Sequence, residues 1–484
     1  MIDKIVFRGV CLVLVLLPLP FWAMDEWAIF TFEAATFVLF VLHVLGAGRA
    51  ENNEARTGAP AQSTFPSWLK TLLVLSLGVG VFQLIPLPPS ILSAISPRTA
   101  RIWSGAASAE GGWATLSLVP NFTLHELIRY VFCFLFAYLV YKHITTRKRV
   151  QVFIFLIFAV ACFQAIFCLV EFFGGTHRVF RFQSEVYVDS AMGNHIKHNY
   201  LAGFMEMIFP ISVGYFLARA SLFAMNRGGS FKERFLWFRQ ERSRKAVVLG
   251  IVPVLIGMGI FFAQSRTGIF ILFASILLMI TALRAVDRRK PVVSGGPRGT
   301  RGGRARKRYA KIIWTVSLVV AFVIILIGIR PVIKRSYFAA LAQDVRPAIF
   351  RNTAEIIKDF PIVGTGMGTY LYVYPIYEKK HSGAMLEHAY NDYLEVLAEG
   401  GIVGGGLVIV VAFGALIWLF AGWARRSDYL VRGVGLGCLV GIVSILIHGL
   451  TDFNLHISVN AVMFVTLYAL AARLVGLNSS QVAR

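Results

Sequence analysis

Two short polar segments interrupt long apolar runs in this chain and carry most of its candidate chemistry. The first is LEHAYNDYLEVLAEGG, residues 386–401, in which His388, Asn391, Asp392 and Glu395 fall at i, i+3, i+4 and i+7. That spacing predicts one amphipathic helix with all four groups on one face. A histidine with a carboxylate one turn away suits general-base removal of a proton from a hydroxyl. Two other readings stay open: a structural polar face, and a metal site with His388, Asp392 and His381 as ligands, which no HExxH or similar spacing supports. The second segment is Ser265-Arg266-Thr267-Gly268, an arginine between two apolar runs with no room for a loop. A guanidinium stays charged and needs an anion, either a ligand or a lipid headgroup reached by snorkelling. The small neighbours of Arg266 permit close approach and favour the ligand.

Further candidates lie around these two. Arg346 and Arg351 in VRPAIFRNTAEIIKDFP flank and enter a predicted helix over Pro347–Lys358. Five positions apart, they diverge by about 140° and need not share a ligand; Arg346 precedes the helix and ranks first, with a solvated or lipid-facing arginine as the alternative for either. Asn194, His195, Lys197, His198 and Asn199 cluster before an apolar run, and Glu206 lies two turns within it, a costly placement that usually lines a cavity. His448, Asp452, Asn454 and His456 gather at a turn between the last two apolar runs. Either group suits sugar hydroxyls or simply satisfies helix ends. Gly364-Thr365-Gly366-Met367-Gly368 reads as a turn folding the chain back to the membrane surface, or as a nest of backbone N–H groups for an oxyanion. Trp103, Trp113, Tyr372, Tyr374 and Tyr377 read as an interfacial aromatic belt, with sugar stacking as the other use.

These residues must be held by membrane helices. The 484 residues are 57% hydrophobic and 15% charged, with mean hydropathy +0.68, too apolar for a soluble globule. About twelve spans are expected, at roughly 5–23, 27–47, 67–85, 124–144, 150–172, 200–219, 246–263, 268–284, 312–329, 402–422, 433–449 and 457–474. The fold class is therefore all-α and polytopic, with a large helical loop over 330–401 between spans nine and ten. The net charge of +23 sorts by loop. Basic runs at 142–149, 219–245 and 284–311 share one side, and roughly two thirds of the Lys and Arg fall there, the positive-inside pattern. Both termini and the tail 476–484 are then cytoplasmic, and 86–123, 174–199, 265–268 and 330–401 face the other way. The Gly/Arg-rich stretch 290–308 is read as a low-complexity loop that is topogenic and headgroup-binding, with RNA binding as the alternative, and no nucleic-acid partner is expected for the protein. Five cysteines, Cys11, Cys133, Cys162, Cys168 and Cys438, lie inside apolar spans and read as packing residues.

No P-loop, dinucleotide fingerprint or Asp-x-Asp pair is visible, so nucleotide-driven chemistry has no equipment and no cofactor is expected. In their order, four segments resemble the O-antigen ligase and Wzy polymerase superfamily. They are GNHIKHNYLAGFMEMIFP (193–210), the Ser265–Gly268 turn, the stretch Arg346–Tyr370 ending in a glycine-rich turn, and His388–Gly401. The tail HGLTDFNLHISVNAVMF (448–464) is similar to an exopolysaccharide-type variant. Tyr200 stands where many relatives have His, and Phe350 where many have Trp. The likeness divides the chain into N-terminal helices over 1–192 and a ligase-like core over 193–475.

The resemblance implies a metal-independent glycosyltransferase of the bacterial inner membrane. It would act at the periplasmic face on a glycan carried by undecaprenyl pyrophosphate. In that reading His388 and Arg266 are catalytic, and Arg266, Arg346 and Arg351 hold the pyrophosphate. Asn391, Asp392, Asn199, Glu206, His448 and Asp452 orient the base or the acceptor, which is lipid A core or a growing glycan. The competing class is a lipid-linked glycan transporter or flippase, which should keep its charges near the bilayer midplane on broken helices. The orientation is tested by cysteine labelling. An impermeant reagent should modify a cysteine at Ser382 in intact spheroplasts and leave one at Ser294 untouched; the reverse pattern places the polar cluster in the cytoplasm.

Overall fold

In lipid the backbone has no water to bond, so apolar runs close their hydrogen bonds internally as helices. The structure, a computed structural model, describes residues 2–18, 26–57, 66–105, 112–174, 178–179, 182–183, 198–223, 241–288, 345–379 and 386–477. Its helices are α1 (Ile2–Leu16), α2 (Glu26–Thr57), α3 (Ser67–Leu84), α4 (Pro89–Ile95), α5 (Pro97–Gly105), α6 (Pro120–His143), α7 (Arg147–Gly174) and α8 (His198–Phe223). They continue with α9 (Glu241–Phe262), α10 (Arg266–Arg288), α11 (Arg346–Asp359), α12 (Tyr370–Tyr377), α13 (Asp392–Ala424), α14 (Tyr429–His448) and α15 (Ser458–Gly476). A two-residue antiparallel pair, Arg178–Val179 with Phe182–Gln183, is the one ladder among the described residues.

The polytopic all-helical architecture stands, but twelve spans are not what the described residues show. Nine helices there are long and apolar enough to cross a membrane, and the apolar part of α9, Val248–Phe262, is shorter. The expected span 5–23 is a 15-residue helix, Ile2–Leu16. The expected span 402–422 begins ten residues earlier, at Asp392. The expected span 312–329, together with Asn194, His195, Lys197, His381, Ser294 and Ser382, lies outside the described residues.

Helix α8 forms the centre, with Leu201–Phe209 almost wholly buried. Helix α14 lies against it through glycines one turn apart. A Cβ on Gly433, Gly437 or Gly441 would lie 2.2 Å from Gly214 O, 2.5 Å from Ile211 Cα or 2.3 Å from Met207 O. Lipid supplies no hydrophobic drive between helices, so close backbone approach and dispersion hold this pair. Four of the five cysteines are buried and all five are free, as packing residues should be.

The two ends of the bundle differ in chemistry. At one end Asp3 meets His143 and Arg149, Arg147 lies 3.9 Å from Asp428, and Arg473 donates to the carbonyls of Ile144 and Thr145. At the other end the α8 start, the α9–α10 turn, the α13 start and the α14–α15 turn converge. A layer of α4, α5, α11 and α12 packs beside them, built on Leu116, Ile349, Ile356, Phe360 and Tyr370.

Helix α13 joins this layer to the membrane. It bends at Gly401, whose φ of 62° and ψ of −170° suit glycine. The bend lets Ile402 N donate to Pro361 O at 2.8 Å and Val403 N to Ile362 O at 3.0 Å. The glycine-rich turn is thereby resolved as a chain-reversing turn, not an open nest. Thr365 N and Gly366 N donate to the carbonyls of Ala398 and Glu399, Met367 N to Gln83 Oε1, and Tyr370 N to the Glu399 carboxylate at 3.0 Å. An external oxyanion would have to displace these acceptors.

Gly401→Ala should therefore destabilise the protein. The forced φ alone costs about 1–3 kcal/mol, and the new Cβ would lie 2.4 Å from the Ile362 carbonyl. Thermal unfolding in detergent measures it, and an unchanged midpoint would show that the bend is dispensable.

Candidate active site

Asn391 decides how the polar segment folds. Its Oδ1 accepts from Tyr393 N and Leu394 N, each at 3.0 Å, and its Nδ2 donates to Leu450 O at 2.9 Å. A side chain so engaged is an N-cap, so the helix begins at Asp392 and the four polar residues do not share a helical face. Tyr390, with φ of 53°, turns the chain just before the cap. The turn folds His388 back over the first helical turn, where its Nδ1 lies 2.6 Å from Glu395 Oε1. Glu395 Oε2 accepts Ala389 N–H at 2.8 Å. Glu395, rather than Asp392, is thus the carboxylate that orients His388. The histidine is 25% exposed and the glutamate 1%, so the imidazole reaches outward from a buried anchor.

The rest of the cluster comes from the α14–α15 turn. His388 stacks on Phe453, ring centroids 4.3 Å apart, and Phe453 also meets Tyr390 at 5.1 Å and Tyr200 at 5.4 Å. His456 Nδ1 lies 3.0 Å from Asp392 Oδ1, and its Nε2 lies 3.4 Å from Glu395 Oε1. Burial disfavours an imidazolium at His456, but the Glu395 charge and the hydrogen bond and charge of Asp392 outweigh it and hold the group up at about 10. A raised value stabilises the fold fully below the ordinary histidine range and loses that contribution as pH climbs through about 10.

Among the described residues, the group whose donor atoms converge closely enough for a metal ion is His388, Glu395 and His456, all within 4.8 Å. Two imidazoles and a carboxylate are a donor set known from catalytic zinc. It differs from the set read in the sequence, because Asp392 faces His456 and not His388. The same atoms neutralise one another through the contacts above, so the carboxylate has a charge partner without a cation.

The arginines occupy different positions. Gln264, with φ of 55°, reverses the chain between α9 and α10, and Ser265 Oγ accepts Gly268 N–H at 3.2 Å. Arg266 is left exposed on the first turn of α10, with no hydrogen bond or ion pair to a described residue. Helix N-termini favour anions, so backbone and guanidinium act in the same sense there. Gly268 serves packing, since a Cβ would lie 2.9 Å from Ala202 Cβ. Thr267 Oγ1 meets Thr451 Oγ1 at 3.1 Å, which ties the Arg266 turn to the turn bearing Phe453 and His456. The Arg346 guanidinium lies over the Tyr390 ring at 5.5 Å. Arg351 is exposed and donates to Pro347 O on its own helix.

The other expected acceptor residues pair with one another, one pair partly and one fully buried. Asn199 Nδ2 donates to Asp452 Oδ2 at 2.5 Å, and His448 Nδ1 lies 2.9 Å from Glu206 Oε1 with both side chains 1% exposed. In this arrangement Glu206, His448 and Asp452 are buried and engaged by protein partners, and Asn391 is used up as a cap. Sequence reasoning missed Tyr390, Phe453 and Glu399, and underweighted Glu395 and His456. Glu395 had a legible signal, its placement seven residues from His388; the ring contacts had none.

Residues 251–409 match the family model of the O-antigen ligases. The chain carries an O-antigen ligase domain. No curated protein matches it. The ligase match takes in Arg266, Arg346, His388, Asp392 and Glu395, and it stops before the α14–α15 turn that supplies Phe453 and His456.

The pairing found here predicts an order of effects. Glu395→Gln should lower glycan transfer by about tenfold or more, since it removes the charge facing His388. Asp392→Asn should lower it less. Initial rates of the two purified variants decide the matter, and the opposite ranking would restore Asp392 as the orienting group.

Proposed function

We propose that this protein transfers a glycan from undecaprenyl pyrophosphate to an acceptor hydroxyl at the periplasmic face of the bacterial inner membrane, without a metal or nucleotide. The observation that carries the reading is His388, oriented through Nδ1 by a buried carboxylate and leaving Nε2 available, at the same end of the bundle as Arg266, which makes no ion pair with a described residue. An imidazole held by a carboxylate is an oriented general base. In the transfer, the acceptor O–H bond breaks and its proton moves to His388 Nε2. The oxygen forms a bond to the anomeric carbon, whose bond to the pyrophosphate oxygen breaks with the electron pair. Charge develops on the leaving pyrophosphate, where Arg266 and the helix N-terminus behind it, with Arg346, stabilise it. Arg351 would take part only from the rim, given its exposure.

The donor linkage already stores the driving force, so the lack of a nucleotide fold is consistent with the reaction. The acceptor is lipid A core for a ligase or a growing lipid-linked glycan for a polymerase, and both use this same set of groups. A transporter is the less favoured reading, because the groups proposed for the site, Arg266, Arg346, His388, Glu395 and His456, lie where helices begin or turn at one end of the bundle and not on broken helices at its middle.

Reconstituted transfer tests the proposal. His388→Ala should lose about 10²- to 10⁴-fold in turnover while binding of donor persists, and EDTA should leave the wild type unaffected. Arg266→Lys keeps the charge but loses the planar fork, so transfer should fall at least about tenfold. EDTA inactivation reversed by a divalent ion would instead support the His388/Glu395/His456 metal site. Near-normal turnover in His388→Ala would remove the base altogether. In a deletion strain, accumulated lipid-linked polymer with free core identifies a ligase, and single-repeat capping identifies a polymerase.

A further inference from the structure

His456 has no role in the reaction as written, yet it is the residue that joins the two carboxylates of α13. Asp392 and Glu395 sit one turn apart, 4% and 1% exposed. Two carboxylates so placed repel each other and have lost their hydration. His456 stands between them on the short 3-10 turn Asn454–His456, 3.0 Å from one and 3.4 Å from the other. Its Nε2 is buried and makes no hydrogen bond, and it lies 3.4 Å from the same Glu395 Oε1 that meets His388 Nδ1. Leu455 N–H also reaches Asp392 Oδ2, at 3.4 Å, which fixes the turn to the helix.

We propose that His456 is a positioning residue of the transfer reaction: a fixed buried cation that keeps Glu395 ionised and aimed at His388 Nδ1, so that Nε2 faces the acceptor hydroxyl. This rests on the reading of His388 as the base. The other ionisable groups around His456 are Glu399 on α13, His448 on α14 with its partner Glu206 on α8, Asp452 in the turn held by Asn199, and His388 itself, 5.0 Å away ring to ring. With His456 charged, the chain Asp392, His456, Glu395 and His388 carries one net negative charge before transfer. Once His388 accepts the acceptor proton that charge is cancelled, so the cluster favours the state that forms.

The pH–rate profile of the protein in liposomes, with a polyprenyl-pyrophosphate glycan donor and its acceptor, tests this. His456→Gln removes a positive charge, so the cluster binds its next proton more readily whichever atom holds it. The acidic limb of kcat should move up by about one pH unit or more, with the KM for donor unchanged. Asp392→Asn removes a negative charge from the far side of the same imidazole and should move the limb the other way. A merely structural role lowers kcat at every pH and leaves the limb in place, and an unmoved limb in either folded variant overturns the proposal. If His456→Gln does not fold, Asp392→Asn carries the test by itself. His388→Ala is read separately: normal turnover there removes the base, whereas an inactive His388→Ala with unmoved limbs in the other two variants leaves the base standing and removes only His456.

Discussion

A carboxylate taken out of water has to be answered in charge and hydrogen bonds, and Glu395 is the one around which the polar end of this protein is arranged. Its two oxygens face an imidazole from the preceding segment, a backbone N–H and a second imidazole from the α14–α15 turn. The first two partners come from the adjacent residues His388 and Ala389, and the third from a remote stretch of the sequence, at His456. Loss of any one leaves a charge 1% exposed without its full complement, which couples the conformation of His388 to the docking of a turn some sixty residues away.

That docking depends on how closely the central helices approach. The glycine ridge on α14 lets its backbone touch α8, and this fixes where α14 ends and the turn to α15 begins. A larger side chain on the ridge would push the turn outward, moving Phe453 and His456 away from His388 and α13. The Asp392 N–H bond to Gly449 O, at 2.8 Å, and the Asn391 bond to Leu450 O clamp the same junction from the other side. Packing in the bilayer interior is thus what sets the geometry of a polar site at its edge.

The arginines follow a different logic from the buried acids. Asp392 and Glu395 share an imidazole partner within the protein, while Arg266 is held exposed beside a helix N-terminus with no ion pair to a described residue. A permanent cation in that position is poised for an anion from outside, and its link through Thr267 and Thr451 joins it to the turn that bears the base's neighbours. In the proposed reaction, proton handling at His388 and anion handling at Arg266 are therefore separate but mechanically connected.

The sequence by itself determined the membrane helices, since long apolar runs have few alternatives in lipid, and it showed the break at Gly401, because a Glu-Gly-Gly step interrupts an otherwise continuous apolar run. It also showed which residue types gather at one end, with His388, Arg266 and Arg346 recognisable from spacing. It misjudged the helix face. Periodicity counts positions as though the helix were already running, whereas the Asn391 side chain starts it at Asp392 and leaves His388 ahead of it. The glycine-rich turn was ambiguous for a similar reason, because only the folded chain shows its N–H groups already bonded to Ala398, Glu399 and Gln83. Pairings between remote segments, His456 with Asp392 and Glu206 with His448, belong to tertiary structure alone: local pattern specifies which face a residue occupies, and helix packing decides which other face it meets.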